Sequence, residues 1–328
     1  MRAWLLDRFS GLAGLRLAEV PEPVAGAGEV VLQMHYAALN PADRYLAERQ
    51  YPALPSLPHI LGRDGAGHVV AVGPGVSEAS PGDTRIILRS AIGAERPGTF
   101  AERVAVPCAS LAEVPPGWDE KEAASAPLVY LTAHQALVMW GTLPPRSALL
   151  VTGASGGVGV AAVQLGTALG HRVVALSRNP EKRNRLRQLG AVECFDPADP
   201  GWPDQVERAI SPQKIELAID NVGGALLSEV IVTLGNLGKV SLVGRLAGPV
   251  PAFNTAALFF RRIRLGGVAV GAYTPEQARE AWQEVLGRLA LVRARPVLDC
   301  VLPFERLPEA FARLASGPMG KVLLEVAR

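Results

Sequence analysis

Residues Ser147–Arg178, SALLVTGASGGVGVAAVQLGTALGHRVVALSR, constrain the fold more than any other stretch. Ala148 to Thr152 is a short apolar run of the kind buried on both faces of a sheet. Gly153, Gly156 and Gly159 follow at three-residue spacing. From Gly157 the apolar positions change to helical period, at Val160, Val163, Leu165 and Leu169, and stop at Gly170, where a helix would end. Arg172 to Leu176 reads as a second strand. Strand, glycine turn, helix and strand make the βαβ unit that holds a dinucleotide. One glycine permits the tight turn, one lets a pyrophosphate approach the backbone, and one lets helix and strand pack closely. The helix N-terminus then offers free N–H groups and a partial positive charge to the phosphates. Gly153, Ser155, Gly156, Gly157, Val158 and Gly159 are the expected phosphate contacts.

The end of the second strand bears on which dinucleotide is bound. An acidic residue there would hold the ribose 2′-hydroxyl of NAD. This chain has Ser177, Arg178 and Asn179, with Lys182 and Arg183 close behind. A hydroxyl and cations suit a 2′-phosphate, which favours NADPH over NADH.

A chain of 328 residues with 49% hydrophobic residues can build two domains with large cores. Its net charge is only +2, and the basic residues are scattered rather than striped, which argues against a nucleic-acid surface. No apolar stretch reaches membrane-spanning length. Cys108, Cys194 and Cys300 lie far apart and form no C-x-x-C pair, so neither a disulfide framework nor a cysteine zinc site is expected. The first residues, MRAWLLDRFSGL, lack the apolar core of a signal peptide. The expected setting is the reducing cytoplasm.

Residues 1–118 alternate short strand-like runs with turns such as Gly73-Pro74-Gly75 and Pro81-Gly82-Asp83, the pattern of an antiparallel barrel or sandwich. After Pro115-Pro116-Gly117, strands and helices alternate over 119–271, as in a doubly wound parallel sheet. Asn221, Val222 and Gly244 fall at strand C-termini, where such a sheet binds its ligand. Residues 272–328 return to the first pattern and are expected to rejoin the N-terminal part. The fold class is therefore α/β, with the nucleotide domain inserted into a β-rich one.

Several segments together resemble the medium-chain dehydrogenase/reductases of the zinc-independent quinone oxidoreductase branch: AALNPADRY (37–45), QYPALPSLPHILGRDGAGHVVAVGPGV (50–76), PGDTRI (81–86), GTFAERVAVP (98–107), PLVYLTAHQAL (127–137), VTGASGGVG (151–159), DNVGG (220–224) and GKVLLEV (320–326). The resemblance implies a GroES-like catalytic domain, an inserted Rossmann domain binding NADPH between the two, and a homodimer made through the last Rossmann strand near Leu265–Val270. It also implies a small-molecule substrate, with no membrane or nucleic-acid partner.

Alcohol dehydrogenases of the superfamily carry a zinc-binding cysteine where Asn40 stands and a zinc-binding histidine where Arg63 stands. An amide and a permanent cation replace neither, and the five histidines show no ligand spacing, so no metal is expected. Hydride transfer must then rely on hydrogen-bond donors at the acceptor's oxygen. In the family's pattern Asn40 would hold the substrate oxygen or the nicotinamide ribose, Tyr45 and Tyr51 would flank the pocket, with Tyr51 either the proton donor (the first choice) or pocket lining alone, and Thr132 would lie beside the nicotinamide. Arg63 is expected either to pair with Asp43 or Asp64 in the vacated metal position or to bind an anionic substrate group. Ile60, Leu128, Tyr130 and Phe259 are the expected apolar lining. The expected reaction is reduction of a quinone or an α,β-unsaturated carbonyl. A 2-enoyl-thioester reductase and a nonenzymatic NADPH-binding protein are the alternatives.

Overall fold

The computed structural model describes residues 1–89, 91–248 and 254–326. They divide into two units, Met1–Leu128 with Gly271–Trp282 and Pro296–Arg328, and Val129–Val270 with Gln283–Arg295. These bounds differ from the sequence expectation at both crossings. Helix Glu120–Ser125 packs across strands Glu29–Ala38 and Gly65–Val72, which keeps the chain in the first unit beyond residue 118. Its N-cap, Asp119, accepts a 2.8 Å bond from the Glu122 amide, and Glu122 returns one to the Asp119 amide. The second half of helix Pro275–Leu291 belongs to the nucleotide unit.

In the first unit, seven strands run in the order Leu298–Pro303, Lys321–Glu325, Glu29–Ala38, Gly65–Val72, Thr84–Ile87 and Leu111–Glu113, with Arg103–Pro107 also paired to Glu29–Ala38. All pairings are antiparallel except that between Leu298–Pro303 and Lys321–Glu325. A second sheet joins Leu15–Glu19, Arg2–Leu6 and His59–Ile60. Phe100, Phe304, Phe311 and Met34 fill the space within this unit. The C-terminal strand pairs Leu323 with Ala38, which ties the last residues to the N-terminal part and sets Lys321 beside Leu39 and Asn40.

The second unit is a parallel sheet of six strands: Glu193–Phe195, Arg172–Leu176, Ala148–Val151, Ile215–Asp220, Leu234–Leu242 and Arg264–Gly267. The chain order reverses between Ala148–Val151 and Ile215–Asp220. A doubly wound sheet binds its ligand at that switch point, beyond the strand C-termini. Strand Ala148–Val151 is buried along its whole length, which its four apolar residues require. Helix Gly157–Ala168 follows it and ends before Gly170, whose φ of +79° suits glycine. Among the described residues no helix is long and apolar enough to cross a membrane.

The three cysteines are free thiols. Burial pushes all three upward in pKa, and Cys194, on strand Glu193–Phe195, rises to about 11.

Candidate active site

Each unit carries its own group of functional side chains. In the second unit the glycine turn and the Asp220–Gly224 turn leave the two central strands side by side. Thr152 Oγ1 donates to Asp220 Oδ1 at 2.6 Å and accepts from the Asn221 amide at 3.0 Å. The other Asp220 oxygen accepts from the Gly223 amide at 3.0 Å. The two strand ends are thus tied by a buried network. Asn221 Nδ2 donates to the Thr152 carbonyl at 2.8 Å, while its buried Oδ1 has no partner.

The three motif glycines have three different reasons. Gly153 has a φ of +55°, open to glycine at little cost. A methyl group on Gly159 would lie 2.5 Å from Ala154 Cα, so close packing of turn and helix demands glycine there. At Gly156 neither reason applies. Its φ is −75°, and a methyl group would meet nothing nearer than the Gly153 carbonyl at 3.5 Å. As N-cap of helix Gly157–Ala168 it also supplies no side chain to the first-turn amides. Ser155, Gly157 and Val158 beside it are half-buried. This is an uncapped helix N-terminus with room above it, which fits a pyrophosphate.

At the end of strand Arg172–Leu176, Ser177 is buried and Arg178 exposed. Asn179 caps helix Pro180–Gln188 by accepting from the Lys182 amide at 3.0 Å. Arg183 is spent within the fold: its Nη1 donates to the Ser177 and Arg178 carbonyls at 2.8 and 2.9 Å and to Asp196 at 3.1 Å. Arg178 makes none of these contacts through its side chain and stands exposed at the strand end. Gly244 packs on the Asn221 carbonyl and leaves no room for a side chain. Thr132 lies buried in helix Pro127–Val138 of this unit. Tyr130 departs from the expected pocket lining: it is 1% exposed and its hydroxyl donates to Gln164, so it belongs to the core.

In the first unit four charges are buried together. Asn40 precedes helix Pro41–Ala47, and its amide donates to Asp43 Oδ2 at 2.9 Å. The other oxygen, Asp43 Oδ1, accepts from Arg63 Nε at 3.2 Å. Arg63 Nη1 donates to the Tyr51 hydroxyl oxygen at 3.0 Å, and its guanidinium carbon sits 4.6 Å from the Tyr51 ring centre. Asp64 faces Lys321 instead: Lys321 Nζ donates to Asp64 Oδ2 at 3.3 Å, to Asn40 Oδ1 at 2.7 Å and to the Leu39 carbonyl at 2.9 Å. Of the two partners expected for Arg63, the structure selects Asp43. Tyr45 is half-buried on the same short helix.

Burial dominates the electrostatics. It raises Asp43 against the pull of Arg63, and it raises Asp64 to about 6 against the pull of Lys321. Burial likewise lowers Lys321, opposed by both carboxylates. Two carboxylates and two cations offset one another, which buried charges require. Two atoms remain without partners, Arg63 Nη2 and Asp64 Oδ1. Lys321 was missed in the sequence; a lone lysine opening an apolar strand was the available signal.

Residues 26–116 match the model of the alcohol dehydrogenase GroES-like domain, and residues 157–290 that of the zinc-binding dehydrogenases. Human quinone oxidoreductase is 27% identical over 99% of this chain and 97% of its own. A solved structure described as an NAD-dependent alcohol dehydrogenase is 30% identical, covers all of both chains and superposes with a TM-score of 0.91. The chain belongs to the medium-chain dehydrogenase/reductases, in the quinone oxidoreductase branch. A mycobacterial protein solved in complex with NADPH is 26% identical over 99% of this chain and all of its own, with a TM-score of 0.90. Membership makes this medium-chain reductase an oxidoreductase with a GroES-like and a Rossmann domain. The family model's zinc does not fit the donors at positions 40 and 63. The Asn40 carbonyl oxygen is taken by an ammonium group, and a guanidinium has no lone pair to offer.

Proposed function

We propose that this medium-chain reductase transfers a hydride from NADPH to a quinone or an α,β-unsaturated carbonyl, without zinc. The observation that supports the reading is the Asp43–Arg63–Tyr51 chain of contacts, which brings the guanidinium and the phenol together as hydrogen-bond donors. Negative charge develops on the acceptor's oxygen during the reaction. A conjugated acceptor spreads that charge as an enolate or a quinol anion, so hydrogen-bond donors suffice where a simple alkoxide would call for a Lewis acid. Arg63 Nη2, which has no protein partner, is the donor we assign to that oxygen. Tyr51 accepts from Arg63 through its oxygen and so keeps its own proton to give. It would protonate the anion, completing addition of a hydride and a proton. Asn40, with its carbonyl oxygen occupied by Lys321, has an amide hydrogen to hold substrate or ribose. Thr132 and Tyr45 are assigned to the nicotinamide and to the pocket wall.

NADPH supplies the hydride. We assign its pyrophosphate to the first turn of helix Gly157–Ala168, with Gly153, Ser155, Gly156, Gly157, Val158 and Gly159, and its 2′-phosphate to Ser177, Arg178 and Lys182. The free Asn221 Oδ1, with Val222 and Gly244 beside it, would accept from the nicotinamide end. The relative solved with NADPH supports this choice. We also propose a cytoplasmic homodimer paired through the edge strand Arg264–Gly267.

The test is NADPH oxidation by chelator-treated protein, with NADH in parallel, against a 1,4-quinone, a 2-alkenal, an enoyl thioester and a plain aldehyde. Turnover of quinone or alkenal that prefers NADPH and ignores chelator is the expected result. Turnover of the thioester alone would replace it with an enoyl-thioester reductase. NADPH binding with no turnover would make it a binding protein.

A further inference from the structure

Away from these groups, the first unit brings together three side chains that the sequence holds far apart. His35 lies on strand Glu29–Ala38 and His68 on strand Gly65–Val72, and Glu120 opens the helix that packs across both. His68 pairs directly with Gln33, so His35 is its diagonal neighbour on the same face, next to a slip in the strand register. The two imidazole rings meet edge to face with centres 4.1 Å apart. Glu120 bridges them: Oε2 lies 2.7 Å from His35 Nδ1 and Oε1 lies 3.8 Å from His68 Nε2.

We propose that His35, His68 and Glu120 form a zinc site, independent of the hydride chemistry. One ligand atom from each residue lies within 4.8 Å of the other two. Ligand atoms around tetrahedral zinc stand about 3.4 Å apart, given bonds of about 2.0–2.2 Å to nitrogen and oxygen. Small rotations of Glu120 and His68, whose side chains are 32% and 39% exposed, close the difference. Two imidazoles and one carboxylate suit zinc and its transition-metal neighbours rather than calcium or magnesium. Three protein ligands leave a position for water. The nearest cation in sequence, Lys121, has its ammonium over the Tyr36 ring, 5.8 Å from the centre. Bound zinc would pin helix Glu120–Ser125 to two neighbouring strands just before the chain leaves this unit at Leu128.

Full-length protein stripped with chelator and titrated with zinc chloride by calorimetry tests the site. The expected result is saturable binding of one zinc ion per chain, weakened at least about tenfold in His68→Gln and in Glu120→Gln and unchanged in His171→Gln of the other unit. Should a variant fold poorly, the wild-type protein alone decides: zinc should shift the imidazole NMR signals of His35 and His68 and leave those of His134 and His171 in place. No saturable uptake, wild-type affinity retained in the two ligand variants, or unmoved His35 and His68 signals would overturn the site.

Discussion

The glycine turn of the nucleotide unit and the charged group of the GroES-like unit solve opposite problems. The turn leaves polar groups open: helix Gly157–Ala168 has no side-chain cap, and Asn221 Oδ1 is unmatched. The charged group pairs its charges, Asp43 with Arg63 and Asp64 with Lys321, and leaves Arg63 Nη2 and Asp64 Oδ1 unmatched. Unfinished hydrogen bonding marks a place prepared for a ligand. Charges paired inside the fold mark a place whose side chains must first hold the fold together. Side chains at the charged group should therefore affect folding first, and those at the open region binding first.

The largest effect is expected from Lys321→Met, which strands Asp64 in the core. Breaking a buried pair from one side costs about 3–5 kcal/mol, readable as a lower midpoint in urea unfolding. Arg63→Leu should lose about 3 kcal/mol by the same argument and turnover with it. Full stability with lost turnover would reassign Arg63 from the fold to the substrate alone.

The second and third motif glycines divide the open region. Gly159→Val should destabilise the protein by about 2 kcal/mol or more through overpacking. Gly156→Val should spare the unfolding midpoint and weaken NADPH binding tenfold or more, about 1.4 kcal/mol, by calorimetry. Equal stability losses would erase the distinction drawn between them. Arg178→Ala should raise the KM for NADPH about tenfold while NADH changes little, the worth of one charge-assisted bond. Parallel changes for both cofactors would remove the 2′-phosphate from this residue.

The smallest effect concerns pH. The Asp64 carboxyl titrates at about 6 in the folded chain against 3.8 as a free side chain, so between those values the folded state holds more protons than the unfolded one. That stability is complete below pH 3.8 and is lost as pH rises through about 6. Wild type should therefore lose stability relative to Asp64→Asn across this interval. Wild type gaining stability relative to Asp64→Asn as pH rises would mean that Lys321 lowers Asp64 more than burial raises it.

Local signals were legible in the sequence. The Ser147–Arg178 stretch gave its strand, turn, helix and strand because glycine spacing and apolar period are short-range. The change of pattern after residue 271 marked where the chain leaves the parallel sheet, although Gln283–Arg295 stays with the nucleotide unit. What depends on distant partners was not legible. Lys321 finds Asp64 only because the C-terminal strand pairs beside Ala38. Arg183 looked like a phosphate ligand until its grip on two carbonyls and Asp196 appeared. His35 and His68 have no ligand spacing, and only strand register sets them side by side.

The buried thiols carry a consequence for an enzyme of this proposed chemistry. Quinones and conjugated carbonyls are Michael acceptors, and the thiolate is the form of cysteine they alkylate. A thiol at about 11, as at Cys194, is thiolate in only about one molecule in ten thousand at pH 7. Cys108 and Cys300 are shifted the same way. An enzyme of the proposed chemistry would thus offer its acceptors few thiolates, and its inactivation by excess acceptor should be slow.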